Sequence, residues 1–374
     1  MSRSFHYVFD MFWKLIAASC LVLYSHGAVS PSERVIAFYY GWYANPATDG
    51  AYDHWDSPVF ERGASSNPKR FPGGDNIGSN FYPQAGCYSV NDPKTLDRQM
   101  RELRAARVGV ISASWWGEDS FTAKNLPRLM DAAQAHGLRV CIHLEPFGGR
   151  NAKTTGRAIR HLIDKYGTHP AFFRLDPGSR PVFFVYDSYL TPASEWSQLL
   201  SPAGKESIRH SKYDSVVIGL WVKENDGQFM TNGNFDGFYT YFAADGFTYG
   251  STTKNWPKLA RFAREHNLLF APSVGPGYID TRIRPWNGST TRAREGGRYY
   301  DRMFQAAVDC APELISVTSY NEWHEGTQIE PAAPKKFEGF TYEDYRPLQP
   351  DDYLERTAGW VKEFESHGSK ATGQ

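Results

Sequence analysis

Eight apolar runs recur along the chain, separated in most cases by a stretch of helical periodicity. They are VIAFYYGWY (35–43), VGVISASWW (108–116), LRVCIHLEP (138–146), PVFFVYD (181–187), SVVIGLWV (215–222), GFYTYFA (237–243), LLFAPSVG (268–275) and LISVTSY (314–320). They are continuous rather than alternating, as strands covered on both faces must be. The spacing predicts amphipathic helices over 93–107, 121–136, 155–166, 195–210, 256–266, 298–310 and 353–365. Leu96, Met100, Leu103 and Ala106 form one apolar stripe, Asp92 is placed to cap it, and Gly137 and Gly167 follow two of the helices as stops. Only the connection 223–236 reads as short and irregular. Such a succession of β units indicates an α/β fold of the (β/α)8 TIM-barrel type. A long loop, 44–92, rich in Gly, Pro, Asn and Ser, hangs on the first strand. No linker, repeat or low-complexity segment divides 30–374, so a single catalytic domain is expected.

Active sites of this fold sit at the C-terminal ends of the strands. The first strand and its loop deliver Tyr40, Trp42, Asp49 and His54 there. The second gives Trp115 and Trp116, the third His143 and Glu145, the fourth Tyr186, and the sixth Tyr239 and Tyr241. The seventh leads into GPGYIDTRIRPW, with Tyr278, Arg282, Arg284 and Trp286, and the eighth gives Asn321, Glu322, His324 and Glu325. Acids, hydrogen-bonding side chains and aromatic rings on one rim suit a glycosidase cleft. Acids carry the chemistry, polar groups hold hydroxyls, and rings stack on sugar C–H faces. Glu322 and Glu325 leave the eighth strand together, and glycosidic cleavage needs one protonated and one ionised carboxyl. Strand alternation sends only one ring of Trp115-Trp116 inward. GPGYID lacks the lysine and glycine spacing of a phosphate loop and reads as a tight turn. His143, Glu145, His324 and the acids could instead ligate a metal, but no H-x-H or H-E-x-x-H spacing supports that. No cofactor is expected.

Lys+Arg and Asp+Glu both number 41, which removes any electrostatic case for nucleic acid or an anionic membrane surface. Aromatics make up 15% of the chain, consistent with a carbohydrate partner. At the N-terminus, Arg3 and Lys14 precede the apolar run 15–24, and Ser25 and Gly27 supply small residues at a cleavage site. Residues 1–27 therefore read as a signal peptide, or else as an uncleaved Golgi-type anchor. Either sends the body into the lumen of the secretory pathway. Of four cysteines, Cys20 lies in that segment. Cys141 is expected as a buried thiol, and a Cys87–Cys310 bond stays open. Asn287-Gly-Ser289 is a glycosylation sequon.

Several stretches carry a more specific likeness: FYYGWYANPATDGAYDHW, HLEPF, YDSYLTP, GFYTYFAADGFTYGS, PSVGPGYIDTRIRPWN and SYNEWHEGTQIEPA. In order, from about Val35 to Trp360, they resemble the endo-α-1,2-mannosidases of glycoside hydrolase family 99, and most of all the animal Golgi-type members that trim glucosylated N-glycans. The resemblance implies a metal-free, retaining endo-enzyme acting on oligomannose N-glycans or α-mannan. It implies that Glu322 deprotonates the substrate's own 2-hydroxyl, which attacks to give a 1,2-anhydro sugar, and that Glu325 is the general acid and then the base. It also sets His143, Glu145, Tyr241 and one of Arg282 and Arg284 around the sugars. The animal enzymes usually carry Trp-Tyr where this chain has Trp115-Trp116. Bacterial mannan-cutting members have Trp at the second place, against the sugar in the −2 subsite. The run from leader to first strand without a long luminal stem implies a soluble luminal or secreted protein, expected to act as a monomer. The competing readings are a metal-dependent barrel hydrolase and a glycan-binding barrel without catalysis.

Overall fold

The computed structural model describes residues 31–61, 69–175 and 180–371. The expected leader, 1–27, lies outside them. Eight parallel strands form the frame: β1 (Ser32–Tyr39), β2 (Val108–Trp115), β3 (Arg139–Leu144), β4 (Arg180–Val185), β5 (Val216–Leu220), β6 (Gly237–Tyr239), β7 and β8 (Ile315–Val317). β7 comes in two halves, Leu269–Ala271 and Ser273–Val274, around Pro272. Proline has no N–H for a ladder, and the break falls there. The first half pairs with β6 through Gly237↔Leu269, and the second with β8 through Ser273↔Ser316. β8 pairs with β1 through Val35↔Ile315, so the ring closes in the order 1 to 8. From Pro31 onward the chain forms one compact unit.

The strands are buried on both faces over most of their length because the barrel interior covers one face and the helices the other. All eight residues of β2 are buried. Inside, the ring of Phe38 packs on His143, Phe184, Tyr239 and Tyr241, at centroid distances of 4.6, 5.7, 5.6 and 5.3 Å. This aromatic layer from four strands is the floor on which the mouth residues rest.

The helices are α1 (Pro93–Ala105), α2 (Phe121–Ala135), α3 (Ala152–Tyr166), α4 (Ala193–Leu200), α5 (Asp226–Gly233), α6 (Trp256–Glu265), α7 (Arg298–Asp309) and α8 (Asp352–Ala371). Their starts follow the side chains present. Asp92 accepts the Lys94 N–H ahead of Pro93, Ser120 accepts the Ala123 N–H, and Asn151 and Thr154 make a reciprocal capping box. Each such cap contributes about 1 kcal/mol.

Two expectations need correcting. The stretch 223–236 is not irregular; it holds α5, which completes the alternation of strands and helices. Its glycines and asparagines lower helix propensity. Tertiary contact compensates: Met230 is fully buried, and a Cβ on Gly227 would come within 2.7 Å of the Phe262 ring. Conversely, the helix expected to run to His210 stops at Leu200. Beyond it Arg209 is tied to the Leu200 and Ser215 carbonyls and to Asp214 and Asp236, so the segment is held by side chains rather than a ladder. Cys87, Cys141 and Cys310 are all free thiols, so no Cys87–Cys310 bond forms. Among the described residues, no helix is long and apolar enough to cross a membrane.

Candidate active site

The chain leaves β8 through Ser319 and enters a 3-10 turn, Trp323–Glu325, with Glu322 at its N-cap. In a 3-10 turn, residues three apart lie one above the other. That spacing brings Glu322 and Glu325 to the same side, facing the barrel mouth. The Glu322 carboxylate accepts the His324 N–H at 3.2 Å, and its own N–H donates to Ser319 Oγ at 2.8 Å. Gly326 ends the turn at φ 62°, where a Cβ would lie 2.6 Å from Ile279 Cγ2 and 2.7 Å from the Ile279 carbonyl. Only glycine fits that place.

The two acids border a cleft of about 380 Å³ whose walls include Tyr40, Trp42, His54, Trp116, Glu145, Tyr186, Tyr241 and Arg284. Trp42 stacks on His54 at 3.8 Å between centroids. Of the tryptophan pair, Trp115 is buried and packs edge-on against Phe147, while Trp116 is the ring that reaches the cleft. Trp116 Nε1 donates to Ser114 Oγ at 3.1 Å, and that hydroxyl donates on to Glu145 at 2.8 Å. His143 shares a hydrogen bond of 2.8 Å with the Tyr239 hydroxyl. Its Nδ1 lies 3.1 Å from Glu145, without the alignment of a hydrogen bond. Tyr40 and Tyr241 join through their hydroxyls. His54 and Tyr241 both have left-handed backbones, at φ 65° and 50°. Tyr241 is pinned there by Ser273 Oγ on its N–H and Thr318 Oγ1 on its carbonyl. Such conformations cost about 1–3 kcal/mol and persist only when surroundings fix them.

The electrostatics follow from burial around few cations. Removal from water pushes Glu322 well above the usual carboxylate range, and the charge of Glu325 adds to that. Burial likewise raises Glu325, to about 7, against the lowering field of Arg284. The pair therefore titrates as a unit in two steps. Arg284 Nη1 stands 3.8 Å from Glu325 and 3.0 Å from Asp280. Asp280, fully buried, also accepts Tyr278 OH at 2.8 Å and Asn287 Nδ2 at 2.9 Å. Burial drives His54 down and His324 to about 3, so both imidazoles are neutral near pH 7.

Not every rim residue named from the sequence reaches the cleft. Arg282 turns away, donating to Asn76 at 2.8 Å and lying 3.7 Å over the Phe340 ring, so Arg284 is the arginine at the acids. Asp49 sits on a short exposed helix and binds Asn91. Asn321 is fully buried and laces β1 to β8 through the Tyr40 N–H and carbonyl. Tyr239 and His143 belong to the buried aromatic floor rather than the cleft wall, Tyr278 donates to Asp280 outside the lining, and Trp286 is exposed outside it. Ser114 and Ser57 were not foreseen. Ser114 lies two residues before Trp116 and shares its strand face, a signal open to sequence reading. Ser57 Oγ, 2.7 Å from His324 Nε2, comes from a loop and carried no signal.

Metal ligation has one candidate among the described residues. His54, Glu322 and His324 bring ligand atoms within 4.8 Å of one another. Zinc bonds of ~2.0–2.2 Å would need those atoms about 3–3.5 Å apart. The set is wider than zinc requires, and with Nε2 paired to Ser57, His324 could enter it only through Nδ1, 3.9 Å from Glu322.

Behind the turn, Glu330 is 1% exposed and meets four donors: Tyr88 OH, Arg98, Gln99 and Trp323 Nε1, at 2.7–3.0 Å. The Trp323 ring between the two acids is thereby locked.

Comparison with known proteins agrees with this geometry. Residues 31–366 match the family model for Glycosyl hydrolase family 99. A mouse protein, glycoprotein endo-alpha-1,2-mannosidase, is 46% identical over 342 residues, which cover 88% of this chain and 74% of the relative. A human glycoprotein endo-alpha-1,2-mannosidase-like protein is 44% identical over 350 residues, covering 88% of this chain and 75% of the relative. The solved structure of the GH99 endo-alpha-mannosidase from Bacteroides thetaiotaomicron superposes with a TM-score of 0.88 at 49% identity, covering 90% of this chain and 99% of that one. With its barrel, its paired acids and a family match along nearly the whole described length, this chain belongs to glycosyl hydrolase family 99.

Proposed function

We propose that this glycoside hydrolase is an endo-acting, retaining enzyme that cleaves internal α-1,2-mannosidic bonds of oligomannose N-glycans or α-mannan and releases a Glc-Man or Man-Man disaccharide. The carrying observation is the single 3-10 turn that holds Glu322 and Glu325 on one side, with raised protonation and Arg284 at 3.8 Å. The names of the mouse and human relatives supply the bond type. In the first step Glu322 takes the proton of the substrate's 2-hydroxyl, and that oxygen attacks C1 to close a 1,2-anhydro ring. Glu325 gives its proton to the departing glycosidic oxygen as the C1–O bond breaks. In the second step Glu325 takes a proton from water, the water oxygen attacks C1, and the ring opens as O2 recovers a proton from Glu322. Two inversions leave the configuration retained. General acid–base help of this kind contributes ~10²–10⁴ in rate per group.

Around these acids, Tyr40, Trp42, His54, Trp116, Glu145, Tyr186, Tyr241 and Arg284 bind the sugars. One chain supplies the whole cleft, so a monomer suffices. The apolar leader supports action in the secretory lumen, in the Golgi or after secretion. The test is turnover of a glucosylated oligomannose glycan. We expect a disaccharide, appearing first as the α-anomer. Release of single sugars, or no turnover, would overturn the reading. A metal-dependent hydrolase is the second reading, favoured only by the His54–Glu322–His324 grouping. Activity that survives exhaustive chelation removes it.

A further inference from the structure

Among the described residues, six large apolar side chains are more than a third exposed: Phe60, Trp116, Tyr189, Leu190, Phe247 and Trp286. All six lie on segments that follow the C-terminal ends of barrel strands; none lies on the eight helices. Isolated exposed apolar residues are ordinary, but their confinement to one rim marks a binding face. Phe60 and Trp116 already line the cleft. Phe247 does not, and at 51% exposure it is open to solvent. Its ring meets Phe242 edge-on at 5.2 Å. Phe242 in turn packs on Tyr241 at 5.5 Å and Tyr186 at 6.4 Å, both of which line the cleft. A continuous aromatic path therefore runs from the acids outward. Its end is held in place: the Phe247 N–H bonds the Ala244 carbonyl, and Thr248 and Ser251 bond each other on the following turn.

The ring order gives this path a direction. Trp116 follows β2 and Phe247 follows β6, four strands away and so on the opposite side of the mouth. Glu322 and Glu325 follow β8, midway between them. A chain that enters over Trp116 and is cut at the acids leaves over β6. We propose that Phe242 and Phe247 form a sugar-binding ridge for the mannose units on the leaving-group side, beyond those inside the cleft. This inference rests on the endo-mannosidase reading. The cleft encloses only about 380 Å³, whereas an endo-substrate continues past the cut and must lie across the rim. Sugars are the occupant that neutral rings and a formally uncharged chain suit; an anionic membrane surface would need basic residues in excess.

The test compares wild type with F247A and F247W on two substrates: an oligomannose N-glycan, and a disaccharide bearing an activated aryl leaving group. F247A should lower kcat/KM on the glycan about 3- to 10-fold, mainly through KM, while the aryl substrate is unaffected. F247W should keep wild-type behaviour on both. An equal loss on both substrates, or no loss on the glycan, would overturn the ridge. If wild type turns over neither substrate, the proposed function falls. The ridge is then judged by binding of the same oligomannose glycan, and equal affinity of wild type and F247A, or no binding, overturns it.

Discussion

Replacing Arg284 by Gln should move the acid side of the pH profile to higher pH. Active enzyme needs one of the paired carboxyls ionised to act as base. Activity therefore falls as pH drops through the lower step of the pair, which burial holds above the usual carboxylate range. Arg284 lowers Glu325 and Glu322 alike, so the cation supports the ionised form, and its loss must raise that step. At 3.8 Å an effective dielectric near 20 gives about 4 kcal/mol. The side chains are 34% and 23% exposed, and solvent screening brings this to roughly half, about 2 kcal/mol. At about 1.4 kcal/mol per unit, the limb should rise by roughly 1.5 pH units. The assay is kcat/KM against pH on an activated aryl substrate, reading the midpoint rather than the height, so that lost sugar contacts do not confuse the result. Arg284→Lys keeps the charge and should move the limb less. A limb that stays in place in R284Q, or moves to lower pH, refutes the argument that Arg284 tunes the pair.

Three further outcomes follow from the same site. Glu325→Gln should lose ~10²–10⁴ in kcat on natural glycans and much less on an activated aryl substrate, which needs no proton; equal losses would remove the acid role. A 2-deoxy substrate has no internal nucleophile and should not be turned over, and cleavage at a comparable rate would exclude the anhydro route. Trp116 presents an apolar ring where a tyrosine would present a hydroxyl. Man-Man substrates should therefore be accepted at least as well as Glc-Man, and Trp116→Tyr should shift the kcat/KM ratio about 10- to 30-fold towards glucose; an unchanged ratio would mean that this sugar is read elsewhere.

The barrel was legible because its signal is repetition: eight apolar runs, each too continuous for a half-exposed strand. α5 was not legible, because Gly227, Gly233 and Asn232 argue locally against helix, and only packing on Phe262 and Trp221 outweighs them. The acids and most cleft residues were legible because strand ends aim them at one mouth. Sequence could not separate Arg282 from Arg284, two residues apart on a loop. Their difference lies in partners brought from afar, Asn76 and Phe340 for one, Asp280 and Glu325 for the other. Asp49 and Trp286 failed as cleft residues for a related reason: a place on a rim loop does not fix where the loop points.

The Glu330 anchorage bears on how the enzyme fails under heat. Loops that carry catalytic groups commonly open before the body of a protein does. Here the acid-bearing turn is fastened from behind by the buried Glu330 carboxyl, which Arg98 meets at 2.8 Å, and freeing it would leave buried polar groups without partners. The turn therefore belongs to the same cooperative unit as the barrel. Its backbone amides should exchange with deuterium as slowly as those of β1 and β8. On warming, catalysis and folded structure should disappear together in one transition, without an interval in which an intact barrel has already gone silent.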